Sequence, residues 1–142
     1  MIQRIQTVHL LIAAALLGLF LGLAGGWLGG PDAVYPWLLP VAYVVGGLAA
    51  AAALLAVFFY KNRQQQQQTI RAAMALSALL ALVIVGALVA TALNDAVELT
   101  AGGIAAASVP LLLPLGAYAF LSLARRGVRK DIELVRSMDR LR

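Results

Sequence analysis

The sequence predicts an all-α integral membrane protein: four transmembrane helices, both termini cytoplasmic (N-in/C-in), and a short amphipathic cytoplasmic C-terminal helix. Three observations predict it. Hydrophobic residues make up 63% of the 142-residue chain and charged residues 12%, where soluble domains have about 45–50% and about 25%. Four stretches, residues 5–31, 33–60, 72–94 and 99–124, contain no Lys, Arg, Asp or Glu. The basic residues cluster on one side of the resulting spans, as the positive-inside rule requires of a membrane protein.

Each uncharged stretch exceeds the roughly 20 residues that carry a helix across about 30 Å of hydrocarbon. Helix is the only open choice, because backbone polar groups in lipid must pair within their own segment. A barrel would need alternating polar residues, and these are absent. The helices are placed near residues 5–25, 38–60, 70–93 and 104–124. Together, residues 1–124 form a four-helix transmembrane bundle, and residues 125–142 a basic cytoplasmic tail.

The first span opens after Arg4 and ends in a Gly- and Pro-rich segment, residues 26–37. It also fits a signal peptide, with residues 8–23 as the apolar core and Gly22-Leu23-Ala24 as a small-residue cleavage site. A retained span is the preferred reading. Ala14, Gly18, Gly22 and Gly26 recur every four residues, and Gly18-Leu-Phe-Leu-Gly22 is a GxxxG match. On the second span, Ala42, Gly46 and Ala50 form a similar stripe. Small residues let helices approach closely in lipid, either within one bundle or between proteins. Packing within the bundle is preferred, and a dimer or partner interface is the alternative.

Spans two and three are joined by a polar segment, residues 61–69, which makes them antiparallel neighbours. Its run Gln64–Gln68 reads as a solvated turn or a helix extension. The fourth span contains Pro110 and Pro114, each of which removes an amide donor. A kink satisfied by neighbouring helices is expected there. The alternative is a broken helix offering carbonyls to a cation or solute.

All eleven Lys and Arg residues fall on one side: Arg4, Lys61, Arg63 and Arg71, then Arg125, Arg126, Arg129, Lys130, Arg136, Arg140 and Arg142. The opposite loops carry only Asp32, Asp95 and Glu98. The positive-inside rule puts the basic side in the cytoplasm. Trp27, Tyr35 and Trp37 then lie at the outer interface, and Phe58, Phe59 and Tyr60 at the inner one. A bias this strong argues against the dual-topology dimers of small four-helix exporters and fluoride channels. The net charge of +5 is explained by the membrane, so no nucleic-acid partner is expected.

Several chemistries lack their residues. No ionisable side chain sits at mid-span, where a proton-coupled exporter needs a carboxylate. There is no cysteine, which removes thiol redox chemistry and thiolate metal sites. The single histidine, His9, reads as an interfacial ring rather than a haem ligand. Asp95 and Glu98 supply too few ligands for a hard cation. No catalytic, cofactor or metal site is expected.

Plotted at 100° per residue, the tail places Val128, Ile132, Leu134, Val135, Met138 and Leu141 on one half of a helix. Arg129, Lys130, Glu133, Arg136, Ser137 and Arg140 take the other half. Gly127 permits a bend between the fourth span and this tail. A basic amphipathic helix beside a membrane lies among anionic headgroups or on a protein partner. The expected contact residues are Arg125, Arg126, Arg129, Lys130, Asp131, Arg136, Asp139 and Arg140. Asp131 and Asp139 interrupt the apolar half, and pairing with a cation of the central loop or of a partner would explain them.

Three segments carry a family resemblance: Met1-Ile-Gln-Arg-Ile-Gln-Thr7, Lys61-Asn-Arg-Gln64, and a tail with Arg126-Gly-Val-Arg-Lys-Asp131, Leu134-Val-Arg-Ser137 and Asp139-Arg-Leu-Arg142. The chain resembles, end to end, bacterial membrane proteins grouped as domain of unknown function family 4293. The resemblance implies a four-helix bacterial inner-membrane protein and brings no activity with it.

The functional expectation is a non-enzymatic accessory or scaffold protein of the bacterial inner membrane. It would contact membrane lipids, including anionic headgroups, and pack on other inner-membrane proteins or on itself. The alternatives are a homo-oligomeric small-solute transporter or channel built around the fourth helix, and an enzyme acting on lipid or quinone through Arg and His9.

Overall fold

A computed structural model describes residues 2–28, 35–93 and 101–139, with side chains for residues 5–28, 35–93, 108–135 and 137. It contains helices α1 (Ile2–Leu28), α2 (Leu38–Phe58), α3 (Arg63–Ala92) and α4 (Ala101–Asp139), with a single 3-10 turn, Phe59–Lys61, between α2 and α3. All four are long and apolar enough to cross a membrane.

The α2–α3 connection is tighter than the sequence predicts. Asn62 caps α3 by accepting the Gln65 amide at 3.2 Å, the side-chain capping that favours Asn at this position. Glutamine is a good helix former, so the Gln64–Gln68 run forms the opening turns of α3: of the two readings the helix extension holds and the solvated turn does not. Gln66 is buried there, and its Nε2 donates to the Ala56 carbonyl near the end of α2 at 3.1 Å.

The helices pack in chain order as a closed ring, each against the next and α4 back on α1. Small residues set the spacing. The inner face of α2 consists of Ala42, Gly46, Ala49, Ala53 and Ala56 below Leu38. At Gly46 an added Cβ would lie 3.1 Å from Leu21 Cδ2 and 3.5 Å from Leu80 Cδ2 and Phe20 Cδ1. Neighbours on α1 and α3 thus occupy the space a side chain would need. Larger side chains (Leu10, Leu17, Phe20, Leu80, Ile84, Leu121) fill the centre. Outward, the bundle presents Leu19, Val44, Leu48, Leu82 and Leu112, each 52–70% exposed. Only 28–39% of each apolar window is buried, so most of the apolar surface faces outward.

The fourth helix extends well beyond the expected residues 104–124. It runs unbroken for 39 residues through both prolines and through Gly127, roughly 58 Å at 1.5 Å per residue. Residues 125–139 are therefore the continuation of α4, not a separate helix hinged at Gly127. No described glycine has positive φ. Gly127 meets a different requirement, set by its neighbour on α1.

Candidate functional site

One end of the bundle gathers the start of α1, the α2–α3 connection and the distal part of α4. The described basic side chains all lie toward this end. So do three of the four described buried polar side chains: Gln6 (α1), Gln66 (α3) and Asp131 (α4), each 5–9% exposed.

Gln6 is the centre of this cluster. Its Nε2 donates to Asp131 Oδ2 at 3.1 Å. The amide lies directly over Gly127. A Cβ built at that glycine would come within 2.7 Å of Gln6 Cγ and 3.0 Å of its Nε2. The glycine leaves the groove in which the glutamine crosses to Asp131. From the other side, Arg63 Nη1 donates to the backbone carbonyl of Asp131 at 3.1 Å. Asp131 thus joins α1 through its carboxylate and α3 through its main chain. Around it, Gln6, Thr7, Tyr60, Arg63, Gln66 and Val128 line a cleft of about 20 Å³, enough for one water molecule.

Asp131 therefore interrupts the apolar half of the tail because that position points into the bundle. Val128 is buried and Ile132 half-buried beside it, while Leu134 and Val135 are 53% and 42% exposed. The inner face of the distal helix is narrower than the wheel implies. A central-loop cation does reach Asp131, but through its carbonyl; the carboxylate takes an amide partner instead. Further down, Ser77 Oγ donates to the Pro114 carbonyl at 2.8 Å and ties α3 to α4. Pro110 and Pro114 are both buried inside the continuous helix.

The small residues separate into two groups. Ala14 and Gly46 are buried in the bundle. Gly18, Gly22 and Gly26 are exposed, and beyond the helix's own adjoining backbone no described atom lies within 4 Å of a Cβ built on any of them. The GxxxG pair, Gly18 and Gly22, makes no contact with another helix among the described residues. Of the tail residues, Arg125 is half-buried, and Arg126, Arg129 and Lys130 are exposed. Arg129 pairs with Glu133 at 2.9 Å. The side chains of Arg136 and Asp139, and Arg140 altogether, lie outside the described residues, as do Asp32, Asp95 and Glu98. His9 is half-buried, its ring 6.0 Å from that of Phe120 on α4. Among the described residues, no three His, Cys, Asp or Glu side chains converge as a metal site.

Sequence reasoning singled out Asp131 but missed Gln6 and Gln66. A weak signal existed, since both are polar residues at helix positions whose next-turn neighbours, Leu10 and Ile70, are core residues.

Residues 33–141 match the family described as Domain of unknown function (DUF4293). The chain belongs to that family. The DUF4293 match takes in α2, α3, α4 and the Arg63, Gln66, Gly127 and Asp131 positions. It begins after α1, so the Met1–Thr7 motif and Gln6 lie outside it, and the end-to-end resemblance narrows accordingly. No curated protein and no solved structure matches the chain.

Proposed function

We propose that the chain is a multi-pass protein of the bacterial inner membrane, with both termini cytoplasmic, acting as a non-enzymatic accessory or scaffold for other membrane proteins. One observation supports this reading above the others. Each described buried polar side chain is engaged in holding helices together: Gln6 with Asp131, Gln66 with Ala56, Ser77 with Pro114. The interior polar groups act as structural ties, and the free chemistry lies outside. That outer surface combines exposed basic residues at one end with an exposed glycine face on α1. Close approach of another helix is what such a face permits.

The absence of cysteine makes the test direct. Single cysteines at Gly22, Leu82 and Leu115, one on each of three outward faces, are crosslinked in native membranes, with buried Ala117→Cys as control. A discrete adduct with another membrane protein from one face only, retained on purification in mild detergent, is the expected result. An uncrosslinked monomer at every face would overturn the scaffold role. Solute flux in reconstituted vesicles that is lost on replacing Pro110 or Pro114 would replace it with a transporter.

A further inference from the structure

The Arg63–Asp131 and Ser77–Pro114 bonds fix the antiparallel register of α3 and α4. Two arginines fall between these ties. Arg125 follows Pro114 by eleven residues, about three helical turns, and so lies on the edge of α4 that meets α3. Arg71 lies three residues before buried Met74, on the flank of α3 turned away from α2. That direction is set by Gln66 and Leu80, which meet α2, and by Arg63 and Ser77, which meet α4. The two guanidinium-bearing residues therefore border one α3–α4 groove from opposite sides. By the register, Arg71 is level with Leu121 and Arg125 with Gln68, about one turn or roughly 5 Å apart along the axis.

Neither arginine has an acidic partner among the described residues. The Asp131 carboxylate is turned to Gln6, and Glu133 is paired with Arg129. Arg125 is half-buried. Below the two arginines the same groove is apolar. Ala78 and Val85 follow Arg71, and Tyr118 and Leu111 precede Arg125, at seven-residue steps that keep them on the same helix flank, with Val85 and Tyr118 41% and 40% exposed.

We infer that this groove binds one anionic phospholipid, its phosphate held between Arg71 and Arg125 and an acyl chain lying along the Val85–Tyr118 lane. Arginine forms paired, charge-assisted hydrogen bonds to phosphate oxygens, and basic pockets between transmembrane helices take anionic headgroups. The two long side chains extend toward the headgroup layer. The groove supplies both chemistries a phospholipid needs, an anion site and an apolar track, in the order they occur along the lipid. This inference rests on the membrane reading above.

The test reconstitutes the full chain into vesicles of phosphatidylcholine alone and of phosphatidylcholine with phosphatidylglycerol, followed by flotation. Lipid retention is then measured by native mass spectrometry after extraction. Expected are flotation with both vesicles, one phosphatidylglycerol retained, and no retained phosphatidylcholine. Retention should fall at least about tenfold in Arg71→Gln/Arg125→Gln, the size of one charge-assisted hydrogen bond. It should partly return in Arg71→Lys/Arg125→Lys and be unchanged in Lys130→Gln, which lies on the far flank of α4. Flotation with equal retention of both lipids, or a Lys130→Gln loss as large as that of the arginine pair, would overturn the lipid site alone. Full displacement by millimolar inorganic phosphate would reassign it to free phosphate and overturn the lipid assignment. Failure to float with either vesicle would overturn the membrane reading and the site with it.

Discussion

Replacing Gly127 by alanine should have an effect that depends on residue 6. In the native chain the new Cβ would sit 2.7 Å from Gln6 Cγ and 3.0 Å from Nε2. The glutamine must move, and its 3.1 Å bond to Asp131 is lost. A hydrogen bond to a charged partner contributes about 1.5–3 kcal/mol, while interhelical bonds in membranes average about 0.6 kcal/mol. The clasp is thus worth about 0.6–2 kcal/mol. Against this, alanine is preferred over glycine within a helix by about 1 kcal/mol. Gly127→Ala alone should therefore change stability by only about 1 kcal/mol in either direction. In a Gln6→Ala background the three nearest obstructing atoms are absent, and the same change should stabilise by about 1 kcal/mol. The coupling between the two sites equals the clasp, about 0.6–2 kcal/mol, whatever the sign of the single variant. Unfolding in mixed micelles of rising sodium dodecyl sulfate fraction, followed by Trp27 and Trp37 fluorescence, measures the four corners of this cycle. Additivity within about 0.3 kcal/mol, the level found for independent sites, would refute the clasp.

Other consequences follow from the same contacts. Ser77→Ala removes a fully buried hydroxyl from the Pro114 carbonyl and should cost about 0.5–1.5 kcal/mol in the same titration; no change would show that the carbonyl does not depend on it. Gly46→Leu should destabilise by about 1–3 kcal/mol through overpacking, because side chains already stand 3.1–3.5 Å from its Cβ position. Gly18→Leu should leave bundle stability within about 0.5 kcal/mol, and a loss like that of Gly46→Leu would place the α1 glycine face inside the bundle. For orientation, single cysteines at positions 65 and 137 should resist thiol reagents confined to the outside of intact cells, and labelling of either from that side would invert the topology.

Four apolar helices were legible because the signal is redundant: each span has twenty-odd uncharged residues with a basic residue at one end and an acidic one at the other, and hydrocarbon admits only a helix there. Helix ends were less legible. The start of α3 moved outward to Arg63 because an Asn cap and a run of good helix formers extend a helix without help from hydrophobic periodicity. The end of α4 moved because Gly127, which permits a bend, does not require one.

The polar cluster at the basic end shows where sequence reasoning stops. Composition and charge asymmetry by themselves determined the number of long apolar helices and the end of the bundle at which the basic residues gather, since each depends on transfer between water and an apolar phase and that is nearly additive over residues. Only the tertiary structure decided that Gln6, 125 positions away in the chain, is the partner of Asp131, and that Gly46 is packed while Gly18 and Gly22 face outward. Those outcomes depend on the rotation and register of one helix against another. Rotation is set by the fit of side chains across interfaces, and a uniformly apolar helix carries almost no periodic signal from which to read it.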